Sequence, residues 1–146
     1  MSNQTTYAET EISPSAIPSA VTTLVPALGR VLISTLFILG GLSKLAAPAM
    51  TIGYIQSVGL PLPSLAYGIA AFTEIVGGIT LLLGYRTRIV ASVLFVFTLA
   101  TAVFFHNHLG DQNQFIHFFK NIAIAGGLLH VIAFGGGRIS LDGRRS

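Results

Sequence analysis

Residues 65–84 read LAYGIAAFTEIVGGITLLLG, an apolar run with one charged side chain, Glu74, near its middle. A helix needs about 20 mostly apolar residues to cross a bilayer, so this stretch predicts a transmembrane helix. Glu74 is also the only charged residue between Lys44 and Arg86. A carboxylate in hydrocarbon is costly unless it is paired, neutralised or faces a polar cavity. Glu74 is therefore the first candidate for a functional site.

The composition of the chain also indicates a membrane protein. Of the 146 residues, 52% are hydrophobic and 9% are charged, against about 25% charged in typical soluble domains. The mean hydropathy is +0.76. The chain has no cysteine, which excludes disulfides, zinc–thiolate sites and thiol redox chemistry. The net charge is +3. No basic run in the sequence is interleaved with aromatic residues that could stack on bases, so we exclude nucleic acid as a partner.

Three further segments are apolar and long enough to span a membrane, namely residues 24–45, 89–105 and 115–134. The predicted fold class is therefore all-α, an integral membrane four-helix bundle. The connection at 84–88 predicts a tight antiparallel hairpin in which Gly84 caps a helix. A short interfacial helix is expected from Pro48 to near residues 59–61, because apolar side chains there follow helical spacing.

Basic residues predict the orientation of these spans. Four spans place every arginine on one side of the membrane: Arg30, Arg86, Arg88, Arg138, Arg144 and Arg145. Lys44, Lys120 and Asp111 fall on the other side. Because cytoplasmic loops carry the excess of arginine and lysine, we expect both termini in the cytoplasm.

The same reasoning divides the chain into three parts. Residues 1–23 are rich in Ser, Thr and Pro and lack the basic start of a signal peptide, so they predict a flexible cytoplasmic tail. Residues 24–137 form the four-span membrane domain, and residues 138–146 form a basic cytoplasmic tail. Gly135 to Gly137 are interpreted as a helix stop rather than a phosphate cradle, because no helix follows them.

Each predicted span contributes at least one polar side chain, and most of these lie in the outer half of the membrane. The ligand or proton-handling candidates are Glu74, Lys44, Lys120, Asn121 and His106. The alternative for Glu74 is a buried ion pair with Lys44 or Lys120 that fixes helix register. Two lysines against one glutamate leave a spare positive charge, which suits an anionic or quinone-like ligand.

Two further groups have competing interpretations. Arg30, the candidate on the cytoplasmic side, is either a topological charge or a partner of the tail at 140–142. His106, His108, Asp111 and His117 have the side-chain types of a metal site, but their spacing matches no known motif, so we predict no metal.

These residues stand in an ordered series of short motifs. In chain order they are GR at 29–30, GLSKL at 41–45 with Pro48, GLP at 59–61, EIVGG at 74–78, LGYRTR at 83–88, FH at 105–106, KNIA at 120–123, GGLL at 126–129 and SLD at 140–142. Each motif alone is weakly specific, but together they resemble the DoxX family of small membrane proteins.

The resemblance implies a four-helix protein of the bacterial inner membrane without a family-wide catalytic mechanism. It suggests an accessory or anchoring subunit of a quinone-linked redox or detoxification system. A quinone is then the expected ligand, with no covalently bound cofactor. The expected partners are the lipid bilayer, a soluble oxidoreductase and further copies of the chain. A small proton-coupled transporter and a scaffold without chemistry remain alternatives, and no motif identifies the chain itself as an enzyme.

Overall fold

The computed structural model describes residues 19–144 and contains five helices in that part of the chain. They are α1 (Ser19–Ala46), α2 (Pro48–Ser57), α3 (Pro63–Leu83), α4 (Thr87–Phe105) and α5 (Gln112–Phe134). Four of them, α1, α3, α4 and α5, are long and apolar enough to cross a membrane. The predicted all-α, four-span membrane fold is confirmed, and α2 is the short helix expected after Pro48.

The ends of the helices follow from local chemistry. Pro48 and Pro63 each stand in the first turn of a helix, where the missing proline N–H has no helical partner in any case. Gly84 ends α3 with φ +68°, and its N–H donates to the Leu81 carbonyl. A residue with a Cβ adopts this left-handed conformation less easily, so Gly84 is the cap that the sequence predicts. Asp111 caps α5 by accepting a hydrogen bond from the Gln114 N–H at 2.9 Å.

The four long helices pack as two pairs. α1 packs mainly against α3, α4 packs mainly against α5, and the α3–α4 hairpin joins the pairs. The buried apolar core contains Phe37, Leu81, Ala91, Leu94 and Leu128. Leu81 and Ala91 of this core lie beside the α3–α4 hairpin, whereas Phe37 also lines the cavity at the other end of the bundle.

Close approach of α1 and α3 depends on glycine. A Cβ added to Gly41 would lie 2.6 Å from Ile75 Cγ1, and one added to Gly78 would lie 2.8 Å from Ile38 Cγ1. Small residues allow helix backbones to approach in this way in a lipid environment. Gly41 and Gly78 therefore determine how closely α1, which carries Lys44, approaches α3, which carries Glu74.

The structure adds two details at the ends of the predicted membrane domain. α1 begins at Ser19, five residues before the predicted span, because hydropathy marks the part that crosses lipid while backbone hydrogen bonding continues beyond it. Residues 139–144 do not extend away from the bundle: Leu141 and Asp142 donate backbone hydrogen bonds to the Leu83 and Gly84 carbonyls at 3.1 and 3.0 Å. The predictions for residues 1–18 and 145–146 fall outside the described residues.

Candidate functional site

A cavity of about 890 Å³ lies at the end of the bundle where α1 terminates, and all five helices contribute to its wall. Its lining includes all five polar candidates from the outer half of the membrane: Lys44, Glu74, His106, Lys120 and Asn121. The structure thus brings together side chains that are up to 77 positions apart in the sequence (44 to 121). We call this space the central cavity.

The Lys44–Glu74 ion pair is the most closely defined feature of the central cavity. Lys44 Nζ lies 2.9 Å from Glu74 Oε1 and 2.7 Å from Oε2. Lys44 stands in the last turn of α1, and Glu74 stands in the middle of α3. A Cβ at Gly40, one turn before Lys44, would lie 3.3 Å from Glu74 Oε1. Gly40 therefore leaves the space that the carboxylate occupies.

The two members of the pair differ in burial. The Glu74 side chain is 11% exposed and the Lys44 side chain 29% exposed. A charge that is nearly enclosed requires a partner, and Lys44 provides it. Of the two lysines considered for Glu74, the structure selects Lys44, and Lys120 makes a different contact.

Lys120 belongs to a second polar group on the wall of the central cavity. Its Nζ donates to His117 Nδ1 at 2.9 Å, and the His117 ring stacks on the His106 ring with 5.0 Å between centroids. His106 Nδ1 lies 2.9 Å from Gln114 Oε1. Because an amide oxygen only accepts, His106 Nδ1 is the donor in this hydrogen bond. The group therefore links the cavity wall to the first turn of α5.

Several cavity residues were not among the candidates. Tyr54 in α2 lines the cavity, and its hydroxyl donates to the Phe105 carbonyl at 3.2 Å, so α2 covers the end of the bundle. Thr98 and Thr101 add hydroxyls from α4, although each donates to a carbonyl of its own helix. Tyr54 could have been found from its place on the apolar stripe of α2. The threonines carry no such signal, because most hydroxyls in membrane helices bond their own backbone.

Arg30 lies at the other end of the bundle. It is 4% exposed and does not line the central cavity. Its guanidinium donates to the carbonyls of Gly136 and Ile139. Arg30 therefore contacts the C-terminal segment, but its hydrogen-bond acceptors are Gly136 and Ile139 rather than the predicted residues 140–142.

The remaining titratable side chains near the central cavity have other contacts. Within residues 19–144, no group of three or more histidine, cysteine or acidic side chains is arranged to hold a metal ion. Asp111 caps α5, and His108 is exposed and lies outside the cavity lining. His130 has a ring nitrogen 3.1 Å from the Gly126 carbonyl, a contact within α5.

Chemically, the central cavity combines an apolar wall with a few polar groups. Ammonium and amide N–H donors come from Lys44, Lys120 and Asn121, and Glu74 provides a carboxylate held by an ammonium. Ile69, in the membrane-spanning helix α3, lines the same space and is 56% exposed on the outside of the bundle. The cavity therefore borders the surface that faces lipid. The fold and the site define a four-span membrane protein with an ion pair in a cavity at membrane depth.

Comparison with known proteins agrees with this class. The DoxX family model matches residues 25–107, which include Lys44, Glu74 and His106. The chain belongs to the DoxX family. It is 37% identical to the inner membrane protein YphA of Escherichia coli over 122 residues, covering 80% of this chain and 87% of the relative. It is 33% identical to the E. coli inner membrane protein YqjF over 115 residues, covering 79% and 87%.

A third relative carries a redox name. A Bacillus subtilis protein named "Putative oxidoreductase CatD" is 43% identical over 74 residues, which cover 51% of this chain and 53% of CatD. No solved structure matches the chain with significant similarity. The family predicted from the motifs is confirmed, and the family model itself ends before α5, so Lys120 and Asn121 lie outside its match.

Proposed function

We propose that this protein is an accessory or anchoring subunit of a quinone-linked redox or detoxification system, and that its central cavity binds the quinone head group. The observation that carries the proposal is the Lys44–Glu74 pair on the wall of a mostly apolar cavity that also presents Lys120, Asn121 and His106. We further propose that the protein resides in the bacterial inner membrane with both termini in the cytoplasm.

The size and polarity of the central cavity suit such a ligand. Pockets for small molecules and cofactors are about 300–1,000 Å³, mostly apolar, with a few placed polar groups. The central cavity, at about 890 Å³, falls in that range. Quinone carbonyls accept hydrogen bonds, and the lysines and Asn121 provide donors. The isoprenoid tail is apolar and can lie against Ile69, an exposed apolar side chain of the membrane-spanning helix α3.

Glu74 has a specific task in this proposal. Reduction of a quinone to a quinol takes up two electrons and two protons, and Glu74 can relay a proton from solvent to the ligand. In the reverse reaction, oxidation of a quinol, the carboxylate can accept a proton that the quinol releases. Lys44 holds the carboxylate in place. The electrons come from an oxidoreductase partner or from a diffusing quinol, because a chain without cysteine cannot bind an iron–sulfur cluster through thiolates. The relative CatD is named a putative oxidoreductase, which supports a redox link for this chain.

The test is purification from membranes in mild detergent, followed by mass spectrometry of bound quinone and of co-purifying proteins. We expect quinone with the wild-type protein, and a loss of at least about tenfold in Glu74→Gln and in Asn121→Leu. Asn107→Leu is the matched control for Asn121→Leu, since Asn107 lies outside the cavity lining.

Different outcomes separate the proposal from its alternatives. If equal amounts of quinone co-purify with the wild type and with all variants, the quinone is carried along with bulk lipid. This result would contradict the proposal. A Glu74-dependent proton flux in vesicles without any partner or quinone would favour a transporter instead. Loss of folded protein in Glu74→Gln, with no bound quinone in the wild type, would assign the ion pair to helix register.

A further inference from the structure

A second cavity, of about 690 Å³, lies at the opposite end of the bundle from the central cavity. Its wall comes from the start of α4, the end of α5 and the segment that follows α5. Three arginines line it: Arg86, Arg88 and Arg138. We call this space the arginine cavity. The proposed quinone function makes no use of it.

The arginine cavity has an excess of positive charge. Asp142 is the single acidic residue among its lining residues in the described part of the chain. Both Asp142 oxygens accept hydrogen bonds at the start of α4. Oδ1 accepts from the Arg86 N–H at 2.9 Å, and Oδ2 accepts from the Thr87 N–H and hydroxyl at 2.7 Å each. Three guanidinium groups against one carboxylate leave a net charge of +2 on the wall.

Glycine allows the segment after α5 to pack closely against the start of α4 on one side of the arginine cavity. Gly135, Gly136 and Gly137 form one wall, and a Cβ on Gly136 would lie 2.6 Å from Thr87 Oγ1. Gly135 and Gly137 have φ of +77° and +72°, so the chain turns sharply after α5 and brings Arg138 back towards α4. Arg88 is held there by a hydrogen bond from Nη2 to the Ala133 carbonyl at 3.2 Å.

One side of the arginine cavity is apolar. Ile89 and Phe134 line it and are 59% and 77% exposed. Both belong to helices that are suited to cross the membrane, so these exposed faces meet lipid. A site that is cationic towards one side and apolar towards the other matches an amphiphile with an anionic head.

The geometry points to a binding site for the phosphate head group of an anionic phospholipid in the arginine cavity. Guanidinium groups bind phosphate oxygens through paired N–H donors, which makes arginine well suited to this task. Basic pockets between helices at the cytoplasmic side bind such head groups in other membrane proteins. Arginines that only fix topology need not line one cavity, whereas Arg86, Arg88 and Arg138 all do.

The test is native mass spectrometry of the purified full-length protein with added phosphatidylglycerol or phosphatidylcholine. We expect retained phosphatidylglycerol on the wild type and little phosphatidylcholine. Arg86→Gln and Arg138→Gln should each weaken phosphatidylglycerol binding about fivefold, as expected for one basic residue near a membrane surface. Arg144→Gln is the matched control, because Arg144 is exposed and lies outside the cavity lining.

Three results would overturn the inference. Equal retention of both lipids would show that charge recognition is absent. An equal loss in Arg144→Gln would show that only the overall charge of this face matters. Displacement of phosphatidylglycerol by millimolar inorganic phosphate, with phosphate retained in its place, would assign the site to a soluble anion. Thermal unfolding of each variant verifies that the proteins compared are folded.

Discussion

Glu74 and Lys44 illustrate what a single charged pair does at membrane depth. A charge on either side chain alone would be costly in a mostly apolar cavity. The ion pair, at 2.7–2.9 Å, offsets this cost for both charges. The pair also holds α1 and α3 in one register. A residue can therefore serve the fold and the site at once, and the two roles require separate measurements.

Lys44→Met should destabilise the protein by about 3 kcal/mol, because it leaves the Glu74 carboxylate enclosed without a partner. This is the lower end of the range for breaking a buried pair, since the Lys44 side chain keeps 29% exposure. The measurement is thermal or denaturant unfolding in detergent. The double variant Lys44→Met with Glu74→Leu should recover most of the loss, because no unpaired charge remains. A double variant as unstable as the single one would contradict a simple charge-pairing role.

At the scale of helices, glycine contacts determine which faces meet. Two of the three glycines in α3 have contrasting environments: Gly78 faces α1, whereas a Cβ on Gly68 would meet no atom within 4 Å. Comparing alanine substitutions at Gly78 and Gly68 separates the effect of interhelical packing from the general effect of glycine on helix stability.

Gly78→Ala should cost about 1–3 kcal/mol, because the added methyl group would meet Ile38 Cγ1 at 2.8 Å and the Ile38 backbone nitrogen at 3.1 Å. Gly68→Ala should be neutral or stabilise the helix by about 0.5–1 kcal/mol. Unfolding of both variants in the same detergent tests this. If the two changes had equal effects, α1 and α3 would not be in the close contact described here.

The start of α4 depends on a residue far away in the sequence. Asp142 accepts from two backbone N–H groups and one hydroxyl there. Asp142→Ala should therefore destabilise the protein by about 1–2 kcal/mol, the usual cost of losing a helix cap. Asp111→Ala removes a cap with one such bond at α5 and should cost less. Unfolding measurements that rank the two variants in the reverse order would contradict the importance of the C-terminal segment.

For the whole molecule, the predicted orientation in the membrane places the two cavities towards opposite sides of the bilayer. The central cavity should lie towards the outer side and the arginine cavity towards the cytoplasm. Because the chain has no cysteine, single cysteines report the side directly. In intact spheroplasts, an impermeant thiol reagent should label Asn107→Cys and spare Tyr85→Cys until the cells are lysed. The reverse pattern would contradict the predicted orientation.

The sequence predicts the helices better than their mutual contacts. Length and hydropathy are local properties, so the four spans, the helix after Pro48 and the cap at Gly84 were all predicted. The partner of Glu74 was left open between Lys44 and Lys120, because the choice depends on the rotation of each helix about its axis. The contacts between Asp142 and α4 span 55 positions and carry no local signal. The sequence grouped the five polar candidates by their place in the outer half of the predicted spans, and all five line the central cavity.

The most direct test of the central claim is photo-crosslinking of a quinone analogue to the purified protein, with the labelled residues mapped by mass spectrometry. We expect label on cavity residues of α1, α3, α4 and α5, reduced by excess unlabelled quinone and reduced in Glu74→Gln. Label spread over lipid-facing residues outside the cavity, unaffected by excess quinone and equal in Glu74→Gln, would contradict a quinone site in the central cavity.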